Sequence, residues 1–144
     1  LPTAAASNAL GDLARKAGDL NLAKSYYASA AQHPSEAGQQ AYASLVRIDL
    51  PQNPQQYLQL RNTRDALGRW YLEISNPTPA PVNRLLIELV YPDQQGQIRR
   101  VQRQFKGTIA AGEKARFYSG MVIDPKRASL YGSSLLSAAL AENY

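Results

Sequence analysis

The chain has 144 residues, of which 44% are hydrophobic and 19% charged, with a formal net charge of +5. That length fits one ordinary domain or two small ones, and that balance belongs to a packed protein rather than a disordered one. The absence of cysteine excludes disulfides, thiolate metal sites and cysteine nucleophiles, while the mild basicity permits contact with anionic surfaces without requiring it.

No apolar run approaches the ~18–20 residues needed to cross a bilayer. The first residue is Leu1, and no charged start followed by an apolar core precedes the first helix. Either a leader has been removed or the chain is a fragment of something longer; a fragment is expected, because the chain begins directly at a helix.

Residues 1–50 carry many alanines at helical spacing. Thr3 is placed to cap a first helix over about residues 4–16, on which Leu10, Leu13 and Ala14, with Ala17, form one apolar stripe. Gly18-Asp19 breaks it. A second helix follows from about Asn21 to Gln32, with Leu22, Ala23, Tyr26, Tyr27 and Ala30 turned inward. His33-Pro34-Ser35 ends that helix, His33 reading as a solvated C-terminal cap and Ser35 as the cap of a third helix. The third helix, roughly Glu36 to Ile48, presents Ala41, Leu45 and Ile48 on one side. Pro51 and Pro54 close the helical half.

From Tyr57 the apolar period changes to two. Tyr57 to Arg61 reads as a strand and Asp65-Ala66-Leu67-Gly68 as a turn. Trp70, Leu72 and Ile74 alternate against Tyr71, Glu73 and Ser75. Asn76-Pro77-Thr78-Pro79-Ala80-Pro81 cannot continue a central strand, because three prolines remove three donors. Leu85, Ile87, Leu89 and Tyr91 then alternate, Asp93 to Gly96 turns, and Ile98 to Phe105 is a basic strand. Ala111-Gly112-Glu113 is another turn, and Lys114 to Ser119 another strand. Ser133 to Glu142 suits either a helix or a closing strand; a strand is expected, because a sandwich needs one there. The predicted architecture is α+β. A three-helix unit over residues 1–50 is packed on or linked to an antiparallel sandwich of about seven strands over residues 51–144.

The first half resembles a tetratricopeptide (TPR) unit, a repeat of about 34 residues that appears here once. The residues that carry the likeness are Leu10, Gly11, Ala14, Gly18, Ala23, Tyr27, Ala30 and Pro34, with the third helix in the place of a cap. Ser7 and Asn8 stand where the repeat has its early bulky aromatic. One such unit leaves an apolar face that a neighbour must cover.

The second half resembles small immunoglobulin-like sandwiches of the FxLYD kind found on bacterial envelope proteins. That likeness rests on Ile74 to Thr78, Val82, the Leu85/Ile87/Leu89/Tyr91 strand, Asp93, Gly96, Ile109 to Glu113 and Phe117. The combination, joined at Asn53 to Tyr57, resembles the C-terminal region of secreted zinc metallopeptidases of Gram-negative bacteria, which act in envelope protein quality control. In that family a catalytic domain with a His-Glu-x-x-His helix precedes the TPR helices. This chain has no such motif, so peptidase activity is not carried over to it. The resemblance implies a periplasmic or envelope location.

Candidate chemistry is sparse. His33 is the one histidine, so a two-histidine zinc site cannot form, and no Gly-x-Ser-x-Gly elbow offers a nucleophile. The acidic residues are scattered through turns and helix ends. Neither catalytic residues, a metal nor a cofactor is expected. Two groups of residues could bind a partner. Asn8, Asp12 and Arg15 recur at i, i+4 and i+7 on the first helix, away from the Leu10/Ala14 contact. By the TPR resemblance that helix lines a peptide groove, so these three are the candidates for contact with a protein, a peptide or a missing preceding domain. Arg99, Arg100, Arg103 and Lys106 could instead meet an anionic surface, or merely blunt a sheet edge. Aromatics do not interleave with them, so nucleic acid is not expected. The leading expectation is non-catalytic docking, with anionic-surface binding or a structural spacer as alternatives.

Overall fold

A computed structural model describes residues 3–141 and is of α+β class, with three helices followed by two antiparallel three-stranded sheets. It divides into two compact units, Leu1–Leu50 and Pro51–Tyr144.

The helical unit comprises α1 (Ala4–Lys16), α2 (Leu20–Ala31) and α3 (Glu36–Asp49). Each helix begins at a side-chain cap that satisfies a donor the helix leaves unpaired. The Ala6 N–H donates to Thr3 Oγ1, the Leu22 N–H to Asp19 Oδ1 and the Gly38 N–H to Ser35 Oγ, each at 3.1 Å. Gly18 turns the chain between α1 and α2 at φ +83°, a left-handed conformation that favours glycine. Past α2 the cap is Gln32 rather than His33, which lies exposed in the following turn.

The core of this unit consists of small residues around one large ring: Ala14, Ala23, Tyr27, Ala30 and Ala41, with Leu45 and Ile48 packed against it. Tyr27 is fully buried. Its ring lies so close to α1 that a Cβ on Gly11 would sit 2.6 Å from Tyr27 Cε1. This contact fixes the rotation of α1 and corrects the predicted inward stripe. The residues α1 buries are Ser7, Gly11 and Ala14, whereas Leu10, Leu13 and Ala17 face outward, as does Leu22 on α2. A leucine pair defines an apolar side, but the tyrosine ring needs the bare backbone of a glycine, and the helix turns to supply it.

The second unit holds β1 (Gln59–Arg64), β2 (Arg69–Ser75), β3 (Val82–Pro92), β4 (Ile98–Phe105), β5 (Lys114–Val122) and β6 (Gly132–Leu140), with short 3-10 turns at Pro54–Gln56 and Pro125–Leu130. The described residues thus contain six strands rather than about seven. The first strand starts two residues later than its apolar pattern implies. The ambiguous segment after Ser133 is strand as far as Leu140, and Glu142 lies outside the described residues. The sheet orders are β1-β2-β5 and β4-β3-β6.

Alternation sets the buried faces. Trp70, Leu72 and Ile74 of β2 and Val82, Leu85, Ile87 and Leu89 of β3 are all fully buried. Contacts run from one sheet to the other. Phe105 of β4 meets Phe117 of β5 at 5.2 Å between ring centroids. Asn62 Oδ1 on β1 accepts from both Trp70 Nε1 (3.2 Å) and the Ser133 hydroxyl of β6 (2.6 Å).

The proline-rich crossing between the sheets is organised by Asn76, buried at 1% exposure. Its amide Nδ2 donates to the carbonyls of Ala80 (2.7 Å) and Ile109 (3.1 Å), and its Oδ1 accepts from the Thr78 N–H (3.1 Å) and hydroxyl (2.6 Å). At the β3–β4 turn, Asp93 Oδ1 accepts from the N–H groups of Gln95 and Gln97, each at 2.9 Å.

The sheet edges differ in chemistry. β4 carries three arginines, whereas β6 (Gly-Ser-Ser-Leu-Leu-Ser-Ala-Ala-Leu) carries no charge. On its outer side the Ala138 N–H of β6 donates to the Pro51 carbonyl at 3.3 Å.

Candidate partner-binding faces

Asn8, Asp12 and Arg15 lie together along one flank of α1, and all three are half-buried. The structure places Asp12 in the contact between α1 and α2 rather than away from it. The Tyr27 hydroxyl donates to Asp12 Oδ1 at 2.5 Å, and Arg15 Nη2 lies 3.6 Å from the same oxygen. Asp12 and Arg15 thus serve the helix pair before they serve any ligand. Asn8 Oδ1 is enclosed and has no hydrogen-bond partner among the described residues.

Burial, reinforced by donation to Asp12, raises the Tyr27 hydroxyl pKa above its ordinary value; Arg15 partly offsets this. Tyr42 is raised too, by burial. A phenol whose pKa is higher folded than unfolded contributes stability that is complete below about pH 10 and disappears as pH rises through the folded value. Tyr27→Phe is expected to cost about 1 kcal/mol at neutral pH and to flatten the alkaline loss of stability. Thermal melts of both forms from about pH 8 to about pH 11 check this; parallel curves would contradict it.

The opposite flank of α1 was not singled out as a site in the sequence. Ala6, Leu10, Leu13 and Ala17 recur there at i, i+4, i+7 and i+11, all exposed. Leu10 is 38% and Leu13 62% exposed, and Leu20 (47%) and Leu22 (43%) open α2. The stripe on α1 is about 16 Å long at the rise of an α-helix. Its signal in the sequence was the spacing itself, which reads equally as a core face.

The basic residues of β4 do not form one patch. Pairing with β3 puts Arg99 opposite Tyr91 and Arg103 opposite Ile87, on one face of the sheet, and Arg100 opposite Val90 on the other. Arg99 is tied to Asp93 (2.8 Å) and Arg100 to Glu88 (2.9 Å). Burial pushes the Asp93 carboxyl up, but the Gln97 amide, Arg99 and the Gln95 amide outweigh it and hold its pKa below the usual range. Among the described residues Arg103 and Lys106 have no ion-pair partner. An inward-turned arginine on an outer strand hinders a further strand from docking there.

Among the described residues no three His, Cys, Asp or Glu side chains gather where they could hold a metal ion, and no helix is long and apolar enough to cross a membrane. No family model matches the chain, and no curated protein matches it. It is similar to a solved X-ray structure of Northeast Structural Genomics Consortium target SoR45, at 12% sequence identity and a TM-score of 0.34, over 56% of this chain and 81% of that one. That similarity is too slight to inform function.

Proposed function

We propose that this chain is a non-catalytic interaction region of a bacterial envelope protein. In this reading residues 1–50 act as a TPR-like unit that docks a partner protein, and residues 51–144 form an immunoglobulin-like sandwich that serves as its mount. One observation carries the docking: the outward stripe of Ala6, Leu10, Leu13 and Ala17 on α1. Apolar side chains at that spacing fit a second helix laid along the first, which is how helical repeats cover one another. The occupant is therefore a helix of the partner protein. The unpartnered Asn8 carbonyl and Arg15, on the opposite flank, contribute at most a polar margin.

Burying one leucine is worth about 1.5–3 kcal/mol, so removing it weakens binding about tenfold or more. A photo-crosslinking residue at position 13 is expected to give one discrete protein adduct in producing cells. Leu10→Asp is expected to abolish that adduct while leaving the helical circular dichroism of the chain intact, and Arg15→Ala to leave it largely in place. No adduct at position 13, or an adduct indifferent to Leu10→Asp, overturns the reading.

A further inference from the structure

The β3–β4 ladder is interrupted near its far end. Regular pairing stops at Leu85↔Phe105 and resumes as a single bridge at Val82↔Ile109. Two residues, Asn83 and Arg84, therefore face three, Lys106, Gly107 and Thr108. On its other side β3 also loses register with β6 between Asn83 and Leu86. Such a bulge bends a strand and re-aims its side chains.

Arg84 is the one non-glycine among the described residues with a positive φ, at +49°. That conformation disfavours a bulky L-residue, and glycine or asparagine is the usual occupant. Gly107 opposite it stands at φ +120°. Strained backbone of this kind persists where the surroundings hold it, and it concentrates at ligand sites.

The bulge opens a cleft of about 540 Å³ lined by Asn83, Arg84, Gln104, Lys106, Gly107 and Thr108. An adjoining cleft of about 530 Å³ shares Asn83, Arg84 and Thr108. Among the described residues no carboxylate lines either one. Arg84 and Lys106 have no ion-pair partner among the described residues, in contrast to Arg99 and Arg100 on the neighbouring strand. Two unpaired cations in one cleft are best matched by one doubly charged anion, since a single carboxylate would leave a charge uncompensated. Arg offers a planar fork and Lys a point charge, the pair of donors that suits a tetrahedral oxyanion. Gln104 and Thr108 add neutral donors on the same wall.

We propose that this bulge cleft binds a phosphate dianion, free or as a monoester headgroup. The site is independent of the α1 stripe, so either reading can fail alone. The backbone strain at Arg84 is then the cost of presenting that guanidinium to the ligand.

The test is a titration of the whole chain with inorganic phosphate at constant ionic strength, followed by amide NMR shifts. Saturable shifts confined to Asn83, Arg84, Lys106, Gly107 and Thr108 are expected. Arg84→Gly is expected to raise the melting temperature, by relieving the strain, while weakening phosphate binding about tenfold. Lys106→Ala, which leaves that backbone alone, is expected to weaken it comparably, and Arg100→Ala less than twofold. Non-saturating shifts, shifts spread along β4, or an equal loss with Arg100→Ala overturn the proposal. Vesicles distinguish the source. Phosphatidic acid vesicles that bind more tightly than phosphatidylglycerol vesicles of equal charge, through Arg84, identify a monoester headgroup. Phosphate binding without vesicle binding identifies a soluble ligand. Binding to both vesicles alike and unchanged by Arg84→Gly counts against the site.

Discussion

Asn76→Ala is expected to lower the stability of the β unit by about 3 kcal/mol, because it removes several buried hydrogen bonds at about 1 kcal/mol each and leaves the Thr78 N–H unpaired. The truncation leaves the Thr78 N–H without its acceptor and takes one donor from the carbonyls of Ala80 and Ile109, which keep the Thr78 hydroxyl (3.2 Å) and the Val82 N–H (3.1 Å). The main chain at the same residue is committed as well: the Asn76 N–H donates to the Glu113 carbonyl and the Gly112 N–H to the Asn76 carbonyl, each at 2.8 Å. One side chain thus ties the end of β2, the proline-rich crossing and the turn before β5. A unit of this size has a total stability on the order of 5–10 kcal/mol, so the loss is a large fraction of it. Denaturant titration measures the effect. Asn76→Asp is the informative companion, since it keeps the acceptor and removes both donors, and it is expected to be at least as damaging. A cost below about 1 kcal/mol for the alanine variant would show that water replaces the amide freely.

Gly38→Ala is expected to be the most damaging single methyl in the helical unit. Gly38 is the third residue of α3, and a Cβ there would overlap the His33 carbonyl oxygen and approach that of Ala30 to 3.0 Å. Both obstacles are backbone and cannot swing aside. The turn from α2 to α3 must open, which releases the Ser35 cap and the packing of Ala41. Steric overfilling of this kind costs about 3 kcal/mol, against a stability on the order of 5 kcal/mol for some fifty residues. Ser35→Ala, which removes the cap alone, is expected to cost about 1 kcal/mol. Hydrogen exchange of the α3 amides separates the two. Loss of protection throughout α3 with Gly38→Ala, against fraying confined to its first turn with Ser35→Ala, is the expected contrast. Equal behaviour would mean that the turn yields without cost.

Element positions were largely legible in the sequence, because the signals that punctuate them are local. Thr3 and Ser35 cap helices, Gly18 reverses the chain, and the alternation around Trp70 and Leu85 marks strands; each can be read within a few residues. Helix rotation was not legible. Leu10 and Leu13 satisfy the apolar spacing of a buried stripe, and only the Tyr27 ring, sixteen residues beyond Gly11, decides that glycine faces the core instead. Asp12 was misjudged for the same reason, since its partner is that ring's hydroxyl. The basic run of β4 looks like one feature along the chain, but pleating sends neighbouring arginines to opposite faces, and two of them are neutralised by carboxylates six and twelve residues away. Arg84 carried no local signal at all, because its unusual backbone follows from one extra residue in the facing strand. Asn76 looked like an ordinary turn residue, and its role depends on a carbonyl thirty-three positions on.

The hydrogen bond from Ala138 to Pro51 sets a practical limit on dissecting this molecule. An uncharged margin such as β6 recruits foreign strands unless something stoppers it, and here the stopper is the main chain of the first residue of the β unit. A shortened version that begins beyond the 3-10 turn at Pro54–Gln56, which also packs on β6, removes the plug while leaving every strand in place. Such a truncation is expected to keep its strand circular dichroism but to self-associate in sedimentation, so that insolubility would reflect the cut rather than the fold.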